Sequence, residues 1–151
     1  MTATQDRTTD RQGWMSLLAK CDPTELDSAW RRLDRGFDHQ VLRAPEIGSV
    51  MVRGRAGAVG AAFNLGEVTV TRCSVRLSTG EDGHAYVQGR DRTKALRAAL
   101  LDAAMQTGAA ADIREKVLDP LAAAARERRT ARAAKAAATK VDFFTMARGE
   151  D

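Results

Sequence analysis

The chain has 151 residues, 29% of them charged, with a formal net charge of +4 and only 5% aromatic side chains. That length suits one domain, which buries roughly 70% of its unfolded surface and needs no staple. Two cysteines are too few for a disulfide framework, and no run approaches the ~18 apolar residues of a membrane span, so a stapled secreted module and a helical membrane protein are both excluded.

Residues 1–10 are polar and lack the apolar core of a secretory signal, so they read as a disordered lead to a cytoplasmic protein. Arg11 to Lys20 is predicted helical, with Trp14, Leu17 and Leu18 at i, i+3 and i+4. Cys21-Asp22-Pro23 interrupts it. Asp22 suits an N-cap, Pro23 the first helical position, and Glu25 stands three residues after the cap. The second helix carries Leu26, Trp30 and Leu33 on one stripe, so a helical hairpin is expected.

The period then changes. His39 to Arg43 and Ser49 to Arg55 read as short strands joined by a turn at Pro45 to Gly48. Gly54, Gly57 and Gly60 follow at spacing three. They lack the GK[ST] ending of a phosphate loop and the GxGxxG order of a dinucleotide fingerprint, which favours a structural turn. Glu67 to Ser78 is the strongest strand. Its apolar parity moves from Val68 and Val70 to Cys73, Val75 and Leu77, which implies a bulge near Thr71-Arg72 or a change of sheet face. A turn over Thr79 to Gly83 and a strand from His84 to Gln88 complete an antiparallel hairpin.

Asp91 is positioned to cap a helix from Arg92 to about Gln106, whose Leu96, Leu100, Leu101 and Met105 offer a broad apolar surface to the sheet. Asp112 to Leu118 reads as a short helix. Asp119-Pro120 supplies another cap and first position for a long Ala/Arg helix, Leu121 to Lys140. Between Arg126 and Lys140 six basic residues stand against Glu127 alone, so the basicity of the chain resides in this element. Such a helix is a solvated face, a phosphate-binding surface or a close-packing partner surface. Ten alanines and no large aliphatic residue past Leu121 favour the partner. The final residues, 141–151, bring Val141, Phe143, Phe144 and Met146 together near a terminus, where apolar side chains need a docking surface on their own core or on another chain.

Chemistry-bearing clusters are sparse. His39 and His84 belong to no metal-ligand spacing, and a convergence of Cys73 with His84 across the hairpin is a weak candidate, so no metal is expected. No nucleophile elbow is present. Gly89-Arg90-Asp91-Arg92 stands where a strand feeds a helix, a setting that favours anions, although Asp91 competes for it. Arg72, Arg76, Arg90 and Arg92 are the candidate phosphate or nucleotide contacts, since guanidinium groups match phosphate oxygens bidentately.

Four segments carry a family resemblance: Arg11-Gln12-Gly13-Trp14-Met15-Ser16-Leu17-Leu18-Ala19; Gly66-Glu67-Val68-Thr69-Val70-Thr71-Arg72-Cys73-Ser74-Val75-Arg76-Leu77; Val87-Gln88-Gly89-Arg90-Asp91; and Lys140-Val141-Asp142-Phe143-Phe144-Thr145-Met146-Ala147-Arg148-Gly149. Together they resemble the PhnG family, small subunits of the bacterial carbon–phosphorus lyase system for phosphonates. The resemblance implies a hetero-oligomer of two-fold symmetry with PhnH-, PhnI- and PhnJ-like subunits. With PhnI, PhnH and PhnL, such chains support attack of a phosphonate on the anomeric carbon of ATP. Adenine leaves and an alkylphosphonate ribose 5-triphosphate forms. A PhnJ-like radical subunit, using S-adenosylmethionine and an iron–sulfur cluster, breaks the carbon–phosphorus bond later. No catalytic residue carries over to this chain.

The expectation is therefore an α+β domain over residues 11–151: a helical hairpin, a small mainly antiparallel sheet, a packed helix, and a long C-terminal helix (121–140) ending in a docking tail (141–151). It is a non-catalytic or co-catalytic subunit that binds no cofactor alone, with ATP the substrate of the complex and Val141, Phe143, Phe144 and Met146 the partner contacts. The rival is a small nucleic-acid-binding accessory protein acting through Arg126 to Lys140. The absence of aromatic residues from that helix weighs against single-strand binding.

Overall fold

The computed structural model describes residues 2–57 and 59–140, with side-chain surroundings from residue 10 onward. The element order is α1 (Thr2–Lys20), α2 (Pro23–Leu33), β1 (His39–Arg55), β2 (Ala62–Leu77), β3 (Asp82–Gln88), α3 (Arg92–Ala104), α4 (Ala110–Ile113), a π-helical turn (Arg114–Leu118) and α5 (Asp119–Ala138). The architecture is α+β. One antiparallel sheet of order β1-β2-β3 is covered on one face by α3, with the α1–α2 hairpin and the C-terminal helices completing the core.

The helical hairpin forms where its caps place it. Asp22 accepts a hydrogen bond from the Thr24 backbone N–H at 2.8 Å, and Pro23 takes the first helical position. Asp34 ends α2 in the left-handed region at φ 46°. The backbone of α1 reaches to Thr2, into the segment expected to be a disordered lead.

The sheet departs from the sequence expectation in β1. The two predicted strands are one, and Pro45 to Gly48 is no turn. Pro45 lacks an N–H, but β1 is an edge strand, and register shifts between Val41 and Arg43 and between Arg43 and Glu46 absorb the missing donor. The irregularity read from the parity of β2 therefore belongs to its neighbour. Within β2 itself Thr71, Cys73, Val75 and Leu77 are buried under α3, while Val68 and Val70 lie on the opposite face. Pairing of β2 with β3 is regular from Val70–Gln88 to Arg76–Asp82. Beyond Val70 the outer halves of β1 and β2 continue as a two-stranded arm past the end of β3, exposing Ile47, Met51, Phe63, Leu65 and Val68. Glycines serve its turn: Gly57 has φ 69°, and a Cβ on Gly60 would meet the Ala56 carbonyl oxygen at 2.2 Å.

Small residues let α3 lie close on the sheet. Ala95, Ala98, Ala99, Ala103 and Ala104 are buried. A Cβ on Gly83 would stand 2.0 Å from the Ala99 oxygen and 2.7 Å from the Ala103 nitrogen, so only glycine fits in β3 there. Asp91 caps α3 by accepting from the Lys94 N–H at 2.8 Å.

Two buried charges fix α1 on this layer. Asp102, 1% exposed, accepts from Arg11 Nε at 3.0 Å, Arg11 Nη2 at 2.7 Å, Trp14 Nε1 at 2.9 Å and the His84 backbone N–H at 2.9 Å. Lys94, 4% exposed, donates to the carbonyls of Ala19 at 3.1 Å and Cys21 at 2.7 Å, satisfying the end of α1.

Pro120 takes the early position in α5 expected of it, but Asp119 does not cap the helix, because the turn before it is already helical. Backbone helicity runs from Ala110 to Ala138 without a side-chain cap at Leu118. A proline removes one backbone donor; the widened turn just before it, in which the Asp119 N–H bonds the Arg114 carbonyl, accommodates the change. Ile113, Val117, Leu118 and Leu121 bury against the hairpin, and from Arg126 onward α5 is exposed.

Asp102→Ala leaves the Trp14 and His84 donors and the Arg11 guanidinium unpaired, and is expected to cost about 3 kcal/mol or more in urea unfolding. Gly83→Ala should cost about 1–3 kcal/mol by forcing α3 off the sheet. Wild-type midpoints for both would remove this account of the core.

Candidate functional site

The sheet face away from α3 is open and polar. Opposite residues of antiparallel strands share a face, so the register sets out three rows there: Arg43, Ser74 and His84; Glu46, Arg72 and Tyr86; Gln40, Arg76 and Asp82. The register shifts around Pro45 place Arg43 and Glu46 in this array, and Cys73 Sγ donates to the Arg43 carbonyl at 3.4 Å. A cleft of about 270 Å³ lies at the first two rows, lined by Arg43, Arg72, Ser74, His84 and Tyr86, with Met15 of α1 at its wall.

The charges are partly matched. Arg72 donates to both oxygens of Glu46 at 3.1 and 3.2 Å, and Arg43 donates to the same carboxylate at 3.3 Å. Arg76 donates to both oxygens of Asp82 at 2.6 and 2.8 Å. Hydrogen bonding from Arg72 holds the Glu46 carboxyl below its usual range, and Arg76 does the same for Asp82. Three guanidinium groups thus face two carboxylates, which leaves the face cationic. Ser74 Oγ lies 3.0 Å from His84 Nδ1. Among the described residues no carboxylate bonds the imidazole, so the pair lacks the third member of a hydrolytic triad.

The four arginines singled out from sequence do not converge. Arg72 and Arg76 share a face four residues apart, about 13 Å, and each already holds a carboxylate. Arg90 and Arg92 flank the Asp91 cap at the far end of β3, about 20 Å along the strand from Asp82. Both are exposed, with no carboxylate partner among the described residues. Asp91 itself occupies the anion position at the α3 N-terminus.

A second cleft, about 380 Å³, lies between the starts of α2 and α3; Asp27, Asp91, Lys94 and Arg97 line it. Its guanidinium is committed, since Arg97 donates to Asp27 at 2.5 Å. Cys73 and His84 both line the open-face cleft but form no pair: Cys73 opposes Ala85, and His84 opposes Ser74. Burial raises both thiols, Cys21 and Cys73, above their usual range, so they stay protonated and make poor nucleophiles or ligands. Among the described residues no group of three or more His, Cys, Asp or Glu could hold a metal ion, and no helix is long and apolar enough to cross a membrane.

On α5, Arg128 forms an ion pair with Glu25 of α2. The remaining cations between Arg126 and Lys135 are exposed, and no aromatic residue interleaves them. Val141, Phe143, Phe144 and Met146 lie outside the described residues.

Sequence reading missed the Arg43, Ser74, His84 and Tyr86 members of the open-face array. The alternation Arg72, Ser74, Arg76 and the pair His84, Tyr86 was visible, but only the cross-strand register brings them together.

Comparison with known proteins matches residues 9–149 to the family described as phosphonate metabolism protein PhnG. A curated relative, the alpha-D-ribose 1-methylphosphonate 5-triphosphate synthase subunit PhnG of Rhizobium meliloti (strain 1021), is 45% identical over 141 residues, covering 93% of this chain and 90% of the relative.

Both ion pairs of the open face have a defined acid response. A carboxyl whose folded pKa is depressed adds stability above its unfolded value, and that stability is lost as pH falls through the folded value. Carboxyl-carbon NMR should therefore show Glu46 and Asp82 titrating below the ordinary carboxylate range. Their midpoints should rise toward it in Arg72→Ala and Arg76→Ala respectively; unchanged midpoints would refute the pairing.

Proposed function

The chain belongs to the PhnG family of phosphonate metabolism proteins, and from that membership we propose that it is a subunit of a synthase that makes an alkylphosphonate ribose 5-triphosphate. The observation that carries this reading is the 45% identity to a synthase subunit over 93% of the chain. The reaction is attack of a phosphonate oxygen on the anomeric carbon of ATP, with adenine leaving. The complex then feeds a carbon–phosphorus lyase step. PhnH-, PhnI-, PhnJ- and PhnL-like chains are the partners, in a cytoplasmic hetero-oligomer of two-fold symmetry.

The geometry supports a subunit in this role. The described residues present surfaces that a lone domain leaves unsatisfied. A two-stranded arm in isolation is marginal in water, yet this one exposes Phe63, Leu65, Met51 and Ile47. The outer half of α5 extends beyond its last buried residue, Leu121, as an Ala/Arg surface suited to close packing. The tail residues Val141, Phe143, Phe144 and Met146 extend that surface in sequence and complete the partner contacts in this reading.

Of the four candidate phosphate contacts, Arg90 and Arg92 are the pair that forms no ion pair among the described residues, so they are assigned to the nucleotide triphosphate in the assembled complex. Arg72 and Arg76 complete the cationic surface along β2. Basic helix α5 is also the element on which a nucleic-acid role would rest, and salt-dependent retention of duplex DNA by the free chain would favour that role.

Co-expression with the partner subunits should give a complex that releases adenine from ATP only when a phosphonate is present. Omitting this chain should abolish the release. Arg90→Ala should weaken ATP binding by the complex about tenfold while subunit stoichiometry is unchanged. Full phosphonate-dependent adenine release by the remaining subunits alone would overturn the proposal.

A further inference from the structure

We propose that the cleft on the open sheet face, formed by Arg43, Arg72, Ser74, His84 and Tyr86, is a subsite for a single tetrahedral phosphorus oxyanion: a phosphonate group or the terminal phosphate of a polyphosphate. The inference deepens the synthase reading, on which it rests for the biological ligand. The site itself stands on geometry.

Three strands deliver its donors side by side. Arg43 comes from β1, Arg72 and Ser74 from β2, and His84 and Tyr86 from β3, in adjacent rows of one register. Arginine, hydroxyl and imidazole are the side chains that meet anionic oxygens through N–H and O–H donors. The positive charge is in excess, because the single carboxylate of Glu46 serves both Arg43 and Arg72. An incoming dianion can take one guanidinium while Glu46 keeps the other, so binding leaves no carboxylate stranded. All of these side chains are at the surface, and they need no rearrangement of the core to reach a ligand.

Register shifts on either side of Pro45 bring Arg43 onto this face, and the buried Cys73 thiol bonds its carbonyl. Met15 walls the cleft from α1, next to Trp14, which together with Arg11 is tied to Asp102. The backbone of His84 is tied to the same carboxylate. Size limits the ligand. At about 270 Å³ the cleft is smaller than the pockets that enclose nucleotide-sized molecules, and it suits one phosphorus centre with a small substituent. The cleft between α2 and α3 is larger but fits an anion less well, since Asp27 and Asp91 line it and Arg97 is already engaged.

The test is NMR titration of the labelled full-length chain with methylphosphonate, inorganic phosphate and tripolyphosphate in turn. Saturable shifts are expected at the His84 ring and at the Ser74 and Tyr86 amides, with none at His39. Arg43→Ala and Arg72→Ala should each weaken binding about tenfold or more. Lys116→Ala, in the turn Arg114–Leu118 away from the sheet, should leave it unchanged, which separates this site from a general effect of surface charge. Tightest binding of methylphosphonate identifies a phosphonate subsite, and tightest binding of tripolyphosphate a terminal-phosphate subsite. Absence of a saturable shift with all three probes would overturn the proposal. So would undiminished shifts in an Arg43→Ala/Arg72→Ala variant whose amide spectrum remains dispersed.

Discussion

Asp102 sits in the last turn of the helix that covers the sheet, and four N–H donors converge on its carboxylate: two from Arg11, one from the Trp14 indole and one from the backbone of His84. Burying a charge is costly unless it is paired and its remaining lone pairs are filled. Here both conditions hold, and the donors come from two different elements, α1 and β3. Hydrogen bonding to Asp102 raises the Arg11 guanidinium above its ordinary value, so the cation persists at every accessible pH. The same carboxylate therefore joins α1 to α3 and α3 to β3. Lys94 repeats the arrangement one face away, donating into the carbonyls that end α1. Between them these two charges orient the N-terminal helix on a layer whose other contacts are aliphatic and non-directional.

That orientation decides what remains exposed. With α3 pressed on one face through alanines and Gly83, the other face keeps an open cleft with Met15 of α1 at its wall. It carries arginines in excess of carboxylates, together with a serine, a histidine and a tyrosine. The outer parts of β1 and β2 run beyond any covering element, and α5 runs beyond its last buried residue. In the reading proposed above, the cationic face takes a phosphorus oxyanion, and the arm and α5 meet other chains.

Much of this was readable from residue order because local signals agreed. Asp22-Pro23 and Asp91 are strong start signals, and both cap as expected. Leu26 and Leu33 on one stripe gave the second helix, and the apolar run through Cys73, Val75 and Leu77 gave the central strand. The failure in β1 came from reading proline as a terminator. Pro45 lies in an edge strand, where a missing N–H can be absorbed by a bulge, so β1 continues through it. Pro120 lies just after a widened turn, so the helical run continues through it as well. Asp102 was invisible for a different reason. An aspartate within an Ala/Leu helix looks like a solvent-facing residue until its distant donors, Arg11 and His84, are placed. The open-face cleft was hidden similarly: Arg43, Ser74 and His84 are separated by turns and become neighbours only through register.

Hydrogen–deuterium exchange of this chain, alone and within the co-purified complex, tests the division between a self-sufficient core and surfaces completed by other subunits. The account predicts that amides of the arm, residues 47–68, and of the outer half of α5 exchange markedly more slowly in the complex. Amides around Asp102 in α3 and β3 should be equally protected in both states. Protection of the arm and α5 that is already complete in the free chain, and unaltered by assembly, would contradict it.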